Sequence, residues 1–371
     1  MEATRSRMTA LEREIIELIG HEGPISAARY MALCLGHPTH GYYATRDPFG
    51  ARGDFITAPE ISQIFGELIG LWCAEVWRQM GAPARIALVE LGPGRGTLMN
   101  DLLRAAKALP EFRSAVSITL VETSPTLRKV QARTLAGAGP QLRWASTVEE
   151  ALEPPLPALV IANEFFDALP IRQFVRTSGG WRERLVGLSG EGALAFGLAD
   201  AAPADMRLPE RPVGAVLEAC PDGIAIAARI GRHLAAHRGA ALAIDYGAAG
   251  TGGDTLQAVR AHGFADPLSA PGEADLTAHV DFGALARAAA AAGARVMELL
   301  PQADLLERLG IAQRAARLAS AATGEQRAAI AAAAARLTDR TPTGMGALFK
   351  ALAFADPRLG PLPGFAESNA T

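Results

Sequence analysis

The segment LVELGPGRGTL (88–98) runs from an apolar stretch into three alternate glycines and then into a helical pattern. Backbone without side chains at Gly92, Gly94 and Gly96 can approach a ligand where any Cβ would collide, and the amides that open a helix can receive it. Two acids narrow the chemistry. Glu122 ends the next apolar run, so it stands at the carboxyl edge of a parallel sheet beside the glycine turn, where a carboxylate can accept both hydroxyls of an adenosine ribose. Glu90, two residues before the first glycine, would repel a dinucleotide pyrophosphate but attract the ammonium of the methionine moiety of S-adenosyl-L-methionine. The spacing also departs from the dinucleotide form G-x-G-x-x-G, and no G-K-[ST] triplet supplies a P-loop. A sulfonium methyl donor is therefore favoured over a nicotinamide cofactor, with a nucleotide-dependent oxidoreductase kept as the alternative.

A second constellation, IANEFFDALP (161–170), closes the fourth apolar run. Asn163 and Glu164 should face the same crevice as Gly92 and Glu122, since ligands of open parallel sheets lie beyond the carboxyl ends of the strands. An amide and a carboxylate there can orient a nitrogen nucleophile and take its proton. Glu164 is the first candidate for that role and Asp167 the next, followed by Asp245 and Asp281. His279 is a possible relay, although a lone histidine beside a strand end is more often structural. Phe165 and Phe166 read as core, as do Trp72 and Trp77. No metal is required.

Strands must hold these groups, and the alternation supplies them. Apolar runs at 86–91, 117–122, 142–146, 158–165 and 241–246 are separated by helical patterns near 96–108 and 125–136, the signature of a parallel sheet covered on both faces. Text between 171 and 237 resembles hairpins followed by a helix near 221–237, an insertion before the fifth strand. A glycine-rich connection follows Gly247, then a helical region near 302–338 and a last strand candidate within 343–355. Two helices precede the sheet, and after an aromatic, glycine-rich loop at 36–55 a long helical beat runs from Ile61 to Met80. The division expected is a helical region 1–84 with a covering loop, a core of 85–170 and 238–356, an insertion of 171–237 and a tail of 357–371.

Composition excludes other classes. Thirty-six Lys+Arg against 39 Asp+Glu give a formal charge of −3, leaving no basic excess to bind nucleic acid. Cys34, Cys73 and Cys220 are too few for a disulfide framework or structural zinc, and no uncharged apolar run of about 18 residues exists to insert into a membrane. No secretory signal is visible, so a reducing cytoplasm is expected. Arg260, His262, Phe264 and the segment 343–350 are unranked candidates for a substrate cleft, the first two reading more readily as solvated loop.

The segments GYYATRDPFGARGDFITAPEISQIFGELIG, VELGPGRGTLMNDLLR, NEFFDALPIRQF and IDYG, in that order, resemble the MidA-like family of S-adenosyl-L-methionine-dependent methyltransferases. The resemblance spans residues 8 to 355. It implies a seven-stranded methyltransferase sheet with an N-terminal helical addition and an insertion before strand five. By the same resemblance the family's glycine loop falls on Gly92, Gly94 and Gly96 and its ribose acid on Glu122. Its GDF-TAPE segment falls on Gly53, Asp54, Phe55, Thr57, Ala58, Pro59 and Glu60 and folds over the cofactor; read alone, Thr57 to Glu60 could equally start a helix. Eukaryotic members are mitochondrial complex I assembly factors that methylate an arginine of a core subunit. A protein substrate is thus implied, complex I among the possibilities, with a non-catalytic, cofactor-binding assembly factor as a further alternative. The absence of a transit peptide fits a bacterial protein.

Overall fold

The computed structural model describes residues 8–45, 57–201, 208–250, 252–260 and 263–365. Its main sheet runs in the order Leu142–Ala145, Val116–Val121, Ile86–Leu91, Ala158–Asn163, Gly239–Ala248, Phe349–Ala355, Arg295–Val296. All neighbours are parallel except Phe349–Ala355, which opposes both of its own. These seven form the mostly parallel α/β sheet expected, and two further two-residue strands, Val280–Asp281 beside Gly239–Ala248 and Leu300–Pro301 beside Phe349–Ala355, bring the sheet to nine. The central strands are buried on both faces, which is why they read as unbroken apolar runs. The chain winds outward from Ile86–Leu91 to Leu142–Ala145, then returns to the other side of Ile86–Leu91 through Ala158–Asn163. That reversal opens a crevice at the carboxyl ends of these two strands.

Two core clusters fill the faces. On one, Gln63–Gln79 lies across Thr97–Ala106, with Trp72, Phe65 and Leu102 in the same cluster. The axes approach closely because Gly66 and Gly70 face the partner: a Cβ on Gly70 would stand 2.7 Å from the carbonyl oxygen of Leu102. Fixed backbone cannot yield as a side chain can, so Gly70→Ala should cost about 1–3 kcal/mol. Urea unfolding should show a lower midpoint with an unchanged slope; an unchanged midpoint would mean the helices are free to separate. Trp77 is only partly buried but packs on this cluster and donates from Nε1 to Pro83 O at 2.9 Å.

Several elements differ from the sequence reading. The single beat from Ile61 breaks at Ser62, whose extended backbone (φ −161°) ends the turn Ala58–Ile61 and whose hydroxyl accepts from Ile64 N–H at 3.2 Å to cap the next helix. The region 302–338 is three helices, Gln302–Arg308, Ile311–Ala319 and Gly324–Leu337, interrupted by left-handed Gly310 and by the capping box at Thr323. The last strand starts only at Phe349, after a helical turn Met345–Leu348. Residues 357–365 pack on the core through Leu359, Leu362 and Phe365, and Trp72 Nε1 donates to Pro363 O at 3.1 Å.

Two small antiparallel sheets accompany the main one. Arg172–Thr177, Gly180–Leu188, Leu194–Leu198 and Val216–Ala219 form an antiparallel sheet that Ile25–Ser26 joins. The glycine-rich connection after Gly247 holds a second one, in the order Gly263–Ala265, Gln257–Arg260, Asp275–Thr277. Its strands are too short to leave a periodic signal. Among the described residues no helix is long and apolar enough to cross a membrane.

Candidate active site

A cavity of about 730 Å³ lies over the crevice and brings together Glu90, Gly92, Gly94, Glu122, Thr57, Asn163, Glu164 and Asp167. Gly92, Gly94 and Gly96 have φ of +60°, +51° and +81°, a region that L side chains rarely adopt. A Cβ on Gly92 would also meet the Phe165 ring at 2.9 Å. The loop is therefore pressed against the turn that follows Ala158–Asn163. Phe165 is thereby a wall of the cavity, against the expectation that both phenylalanines are core; Phe166 is buried as expected. The helix after the loop starts at Thr97 with no side-chain cap, leaving its first amides available to a ligand.

Glu122 is held by the backbone N–H groups of Thr123 and Ser124 and by the Gln131 amide. Ser124 N–H reaches Oε1 at 2.8 Å, and Gln131 Nε2 reaches Oε2 at 3.1 Å. The same Gln131 amide donates to Gly94 O at 2.8 Å, while its Oε1 accepts from Trp144 Nε1 at 2.8 Å. One fully buried glutamine thus fixes the acid and the glycine loop relative to each other. Burial raises the Glu122 carboxyl above its usual range, and the Ser124 and Gln131 bonds oppose the shift.

At the other end, Glu164 adopts a left-handed backbone (φ +50°), a strained state for a non-glycine residue. Asp245 holds it there. Its Oδ2 accepts from the N–H groups of Phe165, Phe166 and Asp167 at 3.1, 3.0 and 3.2 Å, and its Oδ1 from Tyr246 N–H at 2.9 Å. Asp245 does not line the cavity; its carboxyl is engaged by the backbone of the turn, and burial, with the charges of Asp167 and Glu164, raises it well above the usual carboxyl range against those bonds. Asp281 and His279 are likewise elsewhere. Asp281 caps Phe282–Ala291 by accepting from Ala284 N–H at 2.9 Å, and both residues border a separate cavity of about 330 Å³.

Glu164 Oε1 accepts from Ala58 N–H and from Asn163 Nδ2, each at 3.1 Å. Burial pushes its carboxyl up to about 7, against these two bonds and with help from the charge of Asp167. Burial raises Asp167 too, opposed by the Tyr246 hydroxyl. The turn that begins at Thr57 is tied down a second time, since Thr97 Oγ1 donates to Glu60 Oε1 at 2.6 Å. Thr57, at the N-terminal boundary of Ala58–Ile61, makes no capping bond and lines the cavity. Gly53, Asp54 and Phe55 lie outside the described residues, as does His262.

The sequence reading missed Tyr43, Gln131, Tyr246, Asp275 and Thr277. Tyr246 bonds to Asp167 and Thr277, and Tyr43 OH donates to Asp275 Oδ1 at 3.0 Å. IDYG was an available signal for Tyr246 and GYYATR for Tyr43; the others arrive through tertiary contacts.

Two buried acceptors of the cavity residues, Glu90 Oε2 and Asn163 Oδ1, have no hydrogen-bond partner among the described residues. Such orphans are costly unless a ligand supplies donors. Burial also lifts the Glu90 carboxyl to about 8, and a bound ammonium would favour its charged form. The described lining is mostly apolar, and its acidic or basic side chains are all carboxylic acids except Arg95, which suits a cationic ligand and opposes a pyrophosphate. Acid, glycine loop, amide–carboxylate turn and Tyr246 follow four adjacent strands, spanning about 14 Å at ~4.8 Å per strand. The residues present therefore fit an elongated adenosine-bearing cation, with room for an acceptor at its far end.

Comparison with known proteins bears on the same point. Residues 68–300 match a family described as S-adenosyl-L-methionine-dependent methyltransferase. Protein arginine methyltransferase NDUFAF7, mitochondrial, of Danio rerio is 40% identical over 319 residues, covering 79% of this chain and 74% of that one. The Homo sapiens protein of the same name is 39% identical over 313 residues, covering 78% and 70%. A crystal structure from Burkholderia thailandensis with S-adenosyl-homocysteine bound superposes with a TM-score of 0.81 at 30% identity, covering 96% of this chain and 94% of that one.

Proposed function

We propose that this chain, which belongs to the family of S-adenosyl-L-methionine-dependent methyltransferases, transfers the methyl group to an arginine nitrogen of a polypeptide. The bound cofactor supplies an activated methyl on a sulfonium, so the protein's task is alignment and proton removal. In this reading Glu122 accepts from the ribose hydroxyls, the amides of Gly94 and Thr97 donate to the polar atoms of the methionine moiety, and Glu90 Oε2 accepts from its ammonium; the amides of Gly92 and Gly96 are engaged by Val121 O and Pro93 O. Asn163 Oδ1 takes an N–H of the donor or acceptor. Glu164 fixes the guanidinium fork and accepts its proton, with Asp167 beside it, because a guanidinium is otherwise protonated at any working pH. Thr57, on the cavity wall, contacts the donor, and the family resemblance adds Phe55, outside the described residues, to the cofactor-binding set.

The observation that carries this reading is the pair of Glu164 and Asn163 one strand beyond the glycine loop, in an acidic cavity, in a chain about 40% identical to named arginine methyltransferases. A core subunit of respiratory complex I is the first acceptor to try. Incubation of that subunit, or of arginine peptides, with the protein and the cofactor should yield a mass increment of one methyl group on arginine. Cofactor binding without transfer to any protein would favour the non-catalytic assembly factor instead. The domain division given above and a cytoplasmic location are retained as parts of this proposal.

Gln131 yields a separate prediction. A carboxylate in its place would face Glu122 and Gly94 O with no donor unless protonated. Wild-type affinity for S-adenosyl-L-methionine should weaken as pH falls, because Glu122 must be ionised to accept. In Gln131→Glu it should instead weaken as pH rises, as the two carboxylates come to repel. Calorimetric titrations at several pH values would read the sign; a variant that follows the wild-type trend would remove Gln131 from the account.

A further inference from the structure

The small sheet Gly263–Ala265, Gln257–Arg260, Asp275–Thr277 has two unlike faces, and its register assigns each residue to one of them. Cross-strand partners share a face, as do residues two apart on one strand. Ala258 pairs with Ala265 and with Leu276, and this face packs into the N-terminal core cluster with Tyr30 and Cys34. The opposite face carries Gln257 opposite Thr277, and Val259 opposite both Asp275 and Phe264. The bond from Gln257 Nε2 to Thr277 Oγ1, at 3.3 Å, lies on this second face. Asp275 and Thr277 are walls of the main cavity, at its Tyr246 end. Val259 is half-buried, and Phe264 is 83% exposed. The sheet face that carries these two cavity-wall residues therefore continues, two strand spacings or about 10 Å from Asp275, to an exposed aromatic ring.

A lone exposed apolar residue needs no explanation in general. Continuity with the acceptor wall is what sets Phe264 apart. A small amine would be enclosed by the cavity and never reach it, whereas an extended polypeptide covers about 10 Å in about three residues. We infer that Val259 and Phe264 dock an apolar side chain of the polypeptide acceptor about three residues from the methylated arginine. This inference rests on the proposed reading of the acceptor as an arginine in a polypeptide.

The test is a library of peptides, each with one arginine and randomised flanks, methylated from S-adenosyl-L-methionine carrying a labelled methyl group. The wild-type chain should select Leu, Ile, Val or Phe at one position about three residues from the arginine. Phe264→Ser, a change at an exposed site, should abolish that preference and raise KM for the selected peptide by about tenfold, the loss typical of one aromatic anchor. Its kcat, its affinity for the cofactor and its activity on acetyl-arginine-amide should be unchanged. Methylation without an apolar preference, equal in both proteins, would overturn the inference and leave arginine as the acceptor. A wild-type chain that binds the cofactor and methylates no arginine peptide would sink the arginine reading and this inference with it. Self-association abolished by Phe264→Ser would give the ring to a second copy of the chain, and would also overturn it.

Discussion

Glu122→Ala should weaken binding of S-adenosyl-L-methionine by about two to four orders of magnitude. Hydrogen bonds to a charged group contribute about 1.5–3 kcal/mol each, and a carboxylate that receives two ribose hydroxyls makes two of them, so about 3–6 kcal/mol is at stake. Truncation costs more than the ligand contacts, because Ser124 N–H and Gln131 Nε2 lose their shared acceptor and the glycine loop loses its tie through Gln131. Isothermal calorimetry with the cofactor and with S-adenosyl-homocysteine would measure the loss, which should be similar for both because they share the ribose. An unchanged dissociation constant would mean that the adenosine lies elsewhere.

Glu164→Gln separates chemistry from donor binding. Removing a positioned general base should lower kcat by about 10²–10⁴-fold while the cofactor dissociation constant stays within a few-fold. The pH profile sharpens the test. Burial holds the Glu164 carboxyl near 7 rather than 4.5, and only its ionised form can accept a proton. Wild-type kcat should therefore climb as pH rises through about 7, and the climb should be missing in the glutamine variant. A variant that keeps it would point to another base, with Asp167 the nearest. The same raised value works against the fold: the native state binds the proton more tightly than the unfolded chain, so this group's contribution to stability declines as pH rises from about 4.5 to about 7. Glutamine removes that decline, so the variant should lose activity without losing stability at alkaline pH.

How much of this was legible in the sequence depended on whether a residue's role is local. The central strands could be read because burial on both faces leaves no polar alternation. The glycine loop could be read because its conformation is written in its residue types, and the position of Glu90 favours a cationic donor over a dinucleotide. Asn163, Glu164 and Asp167 followed from the rule that parallel sheets bind ligands at their carboxyl edge. Roles set by tertiary contact could not be read. Gln131 sits in a helix that looks solvated, yet it is fully buried and joins acid to loop. Asp245 looked like a base because a charge near a strand end usually serves a ligand; here four backbone N–H groups claim it. Asp275 and Thr277 reach the cavity on a three-residue strand inside a stretch that reads only as glycine-rich.

The central claim is that the donor lies across the carboxyl edge of the sheet, from Glu122 past the glycine loop to Asn163 and Glu164. A crystal structure of this chain with S-adenosyl-homocysteine tests it most directly. The ribose hydroxyls should lie within hydrogen-bond distance of Glu122, the amino group beside Glu90 Oε2, and the sulfur should open towards Glu164 and Tyr246. A ligand bound outside the 730 Å³ cavity, or bound within it with its sulfur turned away from Glu164, would contradict the account.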